Sequence, residues 1–150
     1  MQYRRILVLG LLLTTVGLIA PARTTAADDS LYTRLGGEAA VRTVAGALVD
    51  RILLDARVNR WFAHAAASAE NTAAYKSKLG DFICQATGGP CDYKGRDMVS
   101  AHKGRMVTGE AFDAVAEDLR EVLVTLKVAP REQRELLDLV GTLKKSIVQS

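Results

Sequence analysis

Tyr93-Lys94-Gly95-Arg96-Asp97-Met98-Val99-Ser100-Ala101-His102-Lys103-Gly104 is the stretch that decides the fold. It carries one of the chain's two histidines. Asp92 to Gly95 has loop character, and a short helix is predicted around Asp97 to His102, ending near Gly104. Met98 lies four residues before His102 and Met106 four residues after it. An unbroken helix would put all three on one face. An imidazole flanked by soft, flexible apolar side chains suits a planar apolar cofactor with a metal at its centre. Neutral imidazole donates to iron through one ring nitrogen, and the other nitrogen usually donates to a carbonyl, which fixes the tautomer. A histidine at a helix end also serves as a plain C-terminal cap that favours the helix dipole. Spacing alone leaves both roles open. His64 sits in an Ala-rich segment and is expected to be exposed.

Upstream, Cys84 and Cys91 flank the break Gly88-Gly89-Pro90, so the chain can double back between them. In oxidising surroundings such a pair forms a disulfide, worth about 2–3 kcal/mol for a loop this small. In reducing surroundings it stays as two buried thiols. The spacing is not a redox C-x-x-C. A zinc site lacks four ligands at usable spacing. Asp92 follows Cys91, so C-x-x-C-H attachment of a c-type haem is excluded by that motif.

The rest of the chain is predicted to be helices with short breaks, an all-α fold with no alternating run long enough for a sheet. Ser30 to Leu35 forms a short helical turn closed by Gly36-Gly37. Glu38 to Leu53 carries Val41, Val44, Leu48 and Ile52 on one face, and Val58, Trp61 and Phe62 form a second apolar cluster. Ala63 to Thr72 is Ala-rich and polar, and its structure stays open. Tyr75, Leu79, Phe82, Ile83 and Ala86 recur at helical spacing. Downstream, Thr108 can cap a helix bearing Phe112, Val115, Leu119, Val122, Leu123 and Leu126. Pro130 suits the first position of a last helix that buries Leu136, Leu137, Val140, Leu143 and Ile147. The aromatic share is only 5%, which leaves room for a bound apolar group to complete the core.

The charge is uneven along the chain. Met1-Gln2-Tyr3-Arg4-Arg5 is a basic start, Ile6 to Ala20 is uncharged and mostly apolar, and Pro21 with Ala22, Ala26 and Ala27 closes the segment. That order predicts a secretory signal peptide over residues 1–27, cleaved after Ala26 or Ala27, and a mature domain over 28–150. The apolar run is shorter than the about 20 residues a spanning helix needs, so no stable membrane anchor is expected after cleavage. An uncleaved anchor is the alternative. The protein is then exported, to a periplasm or an extracellular medium. Arg4, Arg5 and Arg23 leave with the leader, which brings the twenty basic residues level with the seventeen acidic ones. The net charge of +3 therefore belongs to the leader, and a neutral domain gives no case for nucleic acid as a partner.

Taken in order, the motifs are more specific than either histidine. Leu31-Tyr32-Thr33-Arg34-Leu35-Gly36-Gly37-Glu38 opens the domain. Trp61-Phe62, then Cys84-Gln85-Ala86-Thr87-Gly88-Gly89-Pro90, then the Tyr-x-Gly-x-x-Met-x-x-x-His string from Tyr93 to His102 follow. This series resembles the truncated haemoglobins, most closely their first group, over roughly residues 30–148. The resemblance implies a shortened globin fold, two helices packed over two around haem b. It makes His102 the proximal ligand of iron and Phe62 the aromatic wedge against the haem face. It puts Tyr75, Leu79 and Phe82 on the helix over the distal face. Tyr93 and Met98 fall beside the haem edge, and Met106 joins them as the second methionine flanking His102.

One departure matters. The family commonly has a tyrosine on the second helix, pointing at bound ligand, and the matching stretch here is Ala47-Leu48-Val49-Asp50. Val49 takes that position and cannot donate a hydrogen bond. The loss is worth on the order of 1–1.5 kcal/mol, about tenfold in affinity. Tyr75 is the candidate replacement from the opposite helix; its hydroxyl could equally point to solvent or to a propionate. Leu48, Val49, Leu79 and Phe82 would give apolar walls.

The resemblance implies reversible binding of oxygen, nitric oxide or carbon monoxide. Two other classes stay open. One is enzymatic, nitric oxide oxidation or peroxidase-like turnover, for which an external reductase is needed because the sequence encodes none. The other is electron transfer, with His64 or Tyr75 as a second protein ligand.

Overall fold

The computed structural model describes residues 29–149, and the expected leader lies outside them. Ser30 starts the first helix, α1 (Leu31–Leu35), its hydroxyl accepting from the Thr33 N–H at 3.2 Å. Gly36 ends α1 with φ +106°, a left-handed conformation that glycine adopts without steric cost. The chain then enters α2 (Gly37–Leu54), which buries Val41, Val44, Leu48 and Ile52, as their spacing predicts.

A 3-10 turn (Asn59–Phe62) follows, and the stretch from Ala63 to Thr72 that the pattern left open resolves into one turn of α3 (Ala63–Ala66) and the start of α4 (Ala69–Ala86). Ser68 caps α4 by accepting from the Asn71 N–H at 3.1 Å. The Tyr32 N–H donates to the Thr87 carbonyl at 2.9 Å, which pins α1 to the end of α4. Gly89 is required by a close approach: a Cβ there would stand 2.7 Å from Cys84 Sγ. The chain doubles back at this point and Cys84 and Cys91 form a disulfide, with Cα atoms 5.8 Å apart.

Asp97 caps α5 (Met98–His102), and Thr108 caps α6 (Gly109–Thr125) with its hydroxyl accepting from the Ala111 N–H. Pro130 opens α7 (Pro130–Thr142), as expected. The predicted continuous last helix is broken at Leu143, and α8 (Lys144–Ile147) follows. Gly141, a weak helix former, precedes the break, and the Leu143 N–H bonds back only three residues, to Val140 at 2.9 Å. Of the apolar face expected for that helix, Leu136 is fully buried; Leu137, Val140 and Ile147 pack at the edge of the core.

The described residues contain helices and no strand. None of their helices is long and apolar enough to cross a membrane. α2 packs chiefly on α4 and then on α6, α6 packs on α7, and α5 packs on α8. Two helix pairs therefore face each other, with Ile52, Val58, Leu123 and Leu136 fully buried between them. Asp118 on α6 is also buried, at 1% exposure. Its Oδ1 accepts from Arg51 Nε at 2.7 Å, and burial pushes its carboxyl above the ordinary value.

Candidate functional site

His102 is the last residue of α5, and its environment is set by that helix. Asp97 Oδ1 accepts from the Ser100 N–H at 2.9 Å and fixes the helix start. One turn later His102 Nδ1 lies 2.8 Å from the Met98 carbonyl. A carbonyl only accepts, so Nδ1 carries the proton and donates. Nε2 is left with its lone pair on a residue that lines a cavity.

That cavity measures about 520 Å³ and lies between the two helix pairs. Leu48 lines it from α2, Phe62 from the 3-10 turn, and Tyr75, Leu79 and Phe82 from α4. Tyr93, Met98 and His102 also line it, with Phe112 and Val115 from α6 and Leu136 and Val140 from α7. The modest aromatic content is thus matched by a core with a space in it. Phe62 and Tyr75 pack with ring centroids 5.8 Å apart, and Phe82 and Tyr93 meet edge to face at 5.4 Å. The Tyr93 loop is tied to α4, its N–H donating to Gln85 Oε1 at 2.7 Å. The Tyr93 hydroxyl donates to the Arg96 carbonyl at 3.2 Å.

Tyr75 shares the wall formed by α4 with two other polar residues, Asn71 and Lys78. Burial pushes its phenol up to about 12, so it stays protonated across the physiological range. Its hydroxyl makes no hydrogen bond among the described residues.

Two expected site residues are not part of this wall. α5 stops at His102, and Met106, with φ +53° and 67% exposure, points its side chain to solvent. The helical i+4 relation to His102 does not exist, because Lys103 to Arg105 turn away after the helix. Val49 is fully buried but is not among the residues that line the cavity. Consecutive helical residues point about 100° apart, and on α2 it is Leu48 that takes the cavity side.

Other residues at the cavity carry no sequence signal. Lys78, Arg96 and Arg105 line it, with Asn71 and the exposed His64. Lys78 and Arg96 have no ion-pair partner among the described residues. Trp61 also lines the cavity, its indole N–H donating to the Arg105 carbonyl at 3.0 Å.

This arrangement fits haem. Among the described residues no group of three or more His, Cys, Asp and Glu could hold a bare metal ion. One free imidazole nitrogen beside an apolar cavity suits an iron that brings its remaining ligands with it. Unpaired cations at the rim suit the carboxylates that such a macrocycle carries. The volume lies within the range of ligand pockets, roughly 300–1,000 Å³.

Two helix pairs around a cavity with a histidine below it define a globin of the shortened, two-over-two form. A profile of bacterial-like globins matches residues 30–149, and the chain belongs to that family, among the truncated haemoglobins. A group 1 truncated haemoglobin of Tetrahymena thermophila is 33% identical over 102 residues, 68% of this chain and 80% of that one. The truncated haemoglobin structure of Tetrahymena pyriformis, in its Fe(III) form, aligns with a TM-score of 0.72 at 28% identity, covering 81% of this chain and 99% of that one. A 2/2 haemoglobin from a Synechococcus species, in the cyanomet state and with covalently attached haem, aligns with a TM-score of 0.70 at 33% identity, covering 79% and 98%.

Proposed function

We propose that this protein binds a diatomic gas, oxygen, nitric oxide or carbon monoxide, in the cavity above His102. When bound, haem b supplies an iron with an open coordination position. The observation that carries this reading is the tautomer of His102: Nδ1 is committed to the Met98 carbonyl, so Nε2 presents its lone pair to the cavity. Met98, Phe62 and Phe82 supply flat apolar surface for a macrocycle, and Lys78, Arg96 and Arg105 supply cations for its carboxylates.

Tyr75 acts as the donor to the gas. Three facts support this: it lines the cavity, its hydroxyl has no acceptor among the described residues, and it keeps its proton. Leu48 and Leu79 keep the rest of that wall apolar. Weak hydrogen bonding to the gas favours sensing or nitric oxide chemistry over long oxygen storage. Turnover of nitric oxide or peroxide would draw electrons from an external reductase.

The domain works after export, in a periplasm or outside the cell. The basic and apolar order of residues 1–27 supports this, and so does the Cys84–Cys91 disulfide, which oxidising compartments favour. N-terminal sequencing that finds the mature chain starting at Ala27 or Asp28 supports it; an intact Met1 in the membrane fraction contradicts it.

Absorption spectra of the purified protein test the gas-binding reading. The expected ferrous form is five-coordinate and high-spin, and it converts fully on adding carbon monoxide. A low-spin six-coordinate ferrous spectrum without added ligand would instead assign electron transfer.

A further inference from the structure

The loop after His102 is held in a conformation that its own residues do not favour. Met106 has φ +53°, in the left-handed region that glycine tolerates and methionine does not. Its side chain is 67% exposed, so side-chain packing does not hold it there. Backbone ties do. The Trp61 indole N–H donates to the Arg105 carbonyl at 3.0 Å. The Met106 N–H donates to Gln149 Oε1 at 3.1 Å. The Gln149 N–H donates to the Val107 carbonyl at 2.9 Å. Three successive loop residues are thus each fixed by a group distant in sequence. A fourth tie returns to α5, where Arg105 Nε donates to the Ala101 carbonyl at 2.9 Å.

We propose that Trp61 and Gln149 are positioning residues for His102. The inference rests on His102 as the iron ligand. α5 has five residues, too few to be rigid by its own hydrogen bonds. The position of its C-terminal end therefore depends on what the following loop is tied to. Gln149 ties it to the segment after α8, which itself packs on α5. Trp61 ties it to the 3-10 turn. The next residue there, Phe62, packs on Tyr75, and both line the cavity. The clamp thus joins the 3-10 turn, whose Phe62 packs on Tyr75, to the loop behind His102. The left-handed Met106 is the strain that these ties sustain.

The test uses the haem-loaded protein and three variants, Trp61→Phe, Gln149→Leu and Gln149→Glu. Gln149→Leu removes the acceptor of the Met106 N–H, and Trp61→Phe removes the donor to Arg105. Gln149→Glu keeps an acceptor oxygen at the same reach. Two readouts are compared: hydrogen exchange at the Met106 amide, and the iron–histidine stretching band of the ferrous protein by resonance Raman. In Gln149→Leu, Met106 exchange is expected to speed up about fivefold, the effect of one lost hydrogen bond. The iron–histidine band is expected to shift to lower frequency and broaden in both Gln149→Leu and Trp61→Phe. Gln149→Glu is expected to restore both readouts. An unshifted band in both variants, despite faster Met106 exchange, overturns the inference and leaves haem binding intact. A wild-type protein that binds no haem overturns the reading on which it rests, and this inference with it.

Discussion

His102 Nδ1 lies 2.8 Å from the carbonyl of Met98, one helical turn earlier. This bond makes α5 and its imidazole one unit. The helix start is held in turn by Asp97, whose carboxylate accepts from the Ser100 N–H. Hydrogen bonding to Ser100, through its side chain first and its backbone N–H second, holds the Asp97 carboxyl below its ordinary value. A carboxyl depressed by folding contributes stability that is complete above its unfolded value, near 3.9, and is lost as pH falls through the lower folded value. Haem release on acidification is therefore expected to begin below about pH 4 as the cap is protonated. Asp97→Asn, a capping residue that does not titrate there, should hold haem to lower pH than the wild type. An acid titration followed at the Soret band checks this, and coincident curves would remove the cap from the account.

Tyr75→Phe removes the phenol donor from the α4 wall. Oxygen dissociation is expected to quicken by about tenfold, the worth of one hydrogen bond of 1–1.5 kcal/mol. Carbon monoxide, a poorer acceptor, should be much less affected. Stopped-flow displacement of oxygen measures the change; an unchanged rate removes Tyr75 from the ligand's surroundings.

The Cys84–Cys91 disulfide closes the turn between α4 and the Tyr93 loop. Replacing both cysteines with serine is expected to lower stability by about 2–3 kcal/mol while haem still binds. Chemical denaturation measures the loss. A mass unchanged by alkylation without reductant is the matching check on the wild type.

Asp118 is buried on α6 and accepts from Arg51 Nε. Asp118→Ala leaves Arg51 without that acceptor and opens a small void. It is expected to cost about 2–3 kcal/mol, as for a hydrogen bond to a charged group. Asp118 is not among the cavity-lining residues, so the haem spectrum should not change. Denaturation and absorption measured together test both halves.

Much of this architecture is legible in the sequence because it depends on local chemistry. Glycine at Gly36 and Gly88-Gly89, the cap Thr108 and the proline at Pro130 mark breaks that the backbone must obey. The apolar period of Val41, Val44, Leu48 and Ile52 fixes which side of α2 turns inward. The four-residue period from Met98 through His102 to Met106 carries no record of where the helix stops, and α5 ends at His102. Val49 is buried beside Leu48, and the resemblance that matches it to the family's tyrosine does not say which of two adjacent buried residues on α2 faces the cavity. The cationic rim of Lys78, Arg96 and Arg105 and the Trp61–Arg105 tie join residues far apart in sequence, and no local pattern encodes them.

The account depends most on His102 Nε2 as the protein's bond to iron. Haem titration of His102→Gly, with and without added imidazole, tests it directly. The glycine variant is expected to lose the five-coordinate ferrous spectrum, and imidazole should restore it by occupying the vacated space. A variant that keeps the wild-type ferrous and carbon monoxide spectra without imidazole would contradict the account.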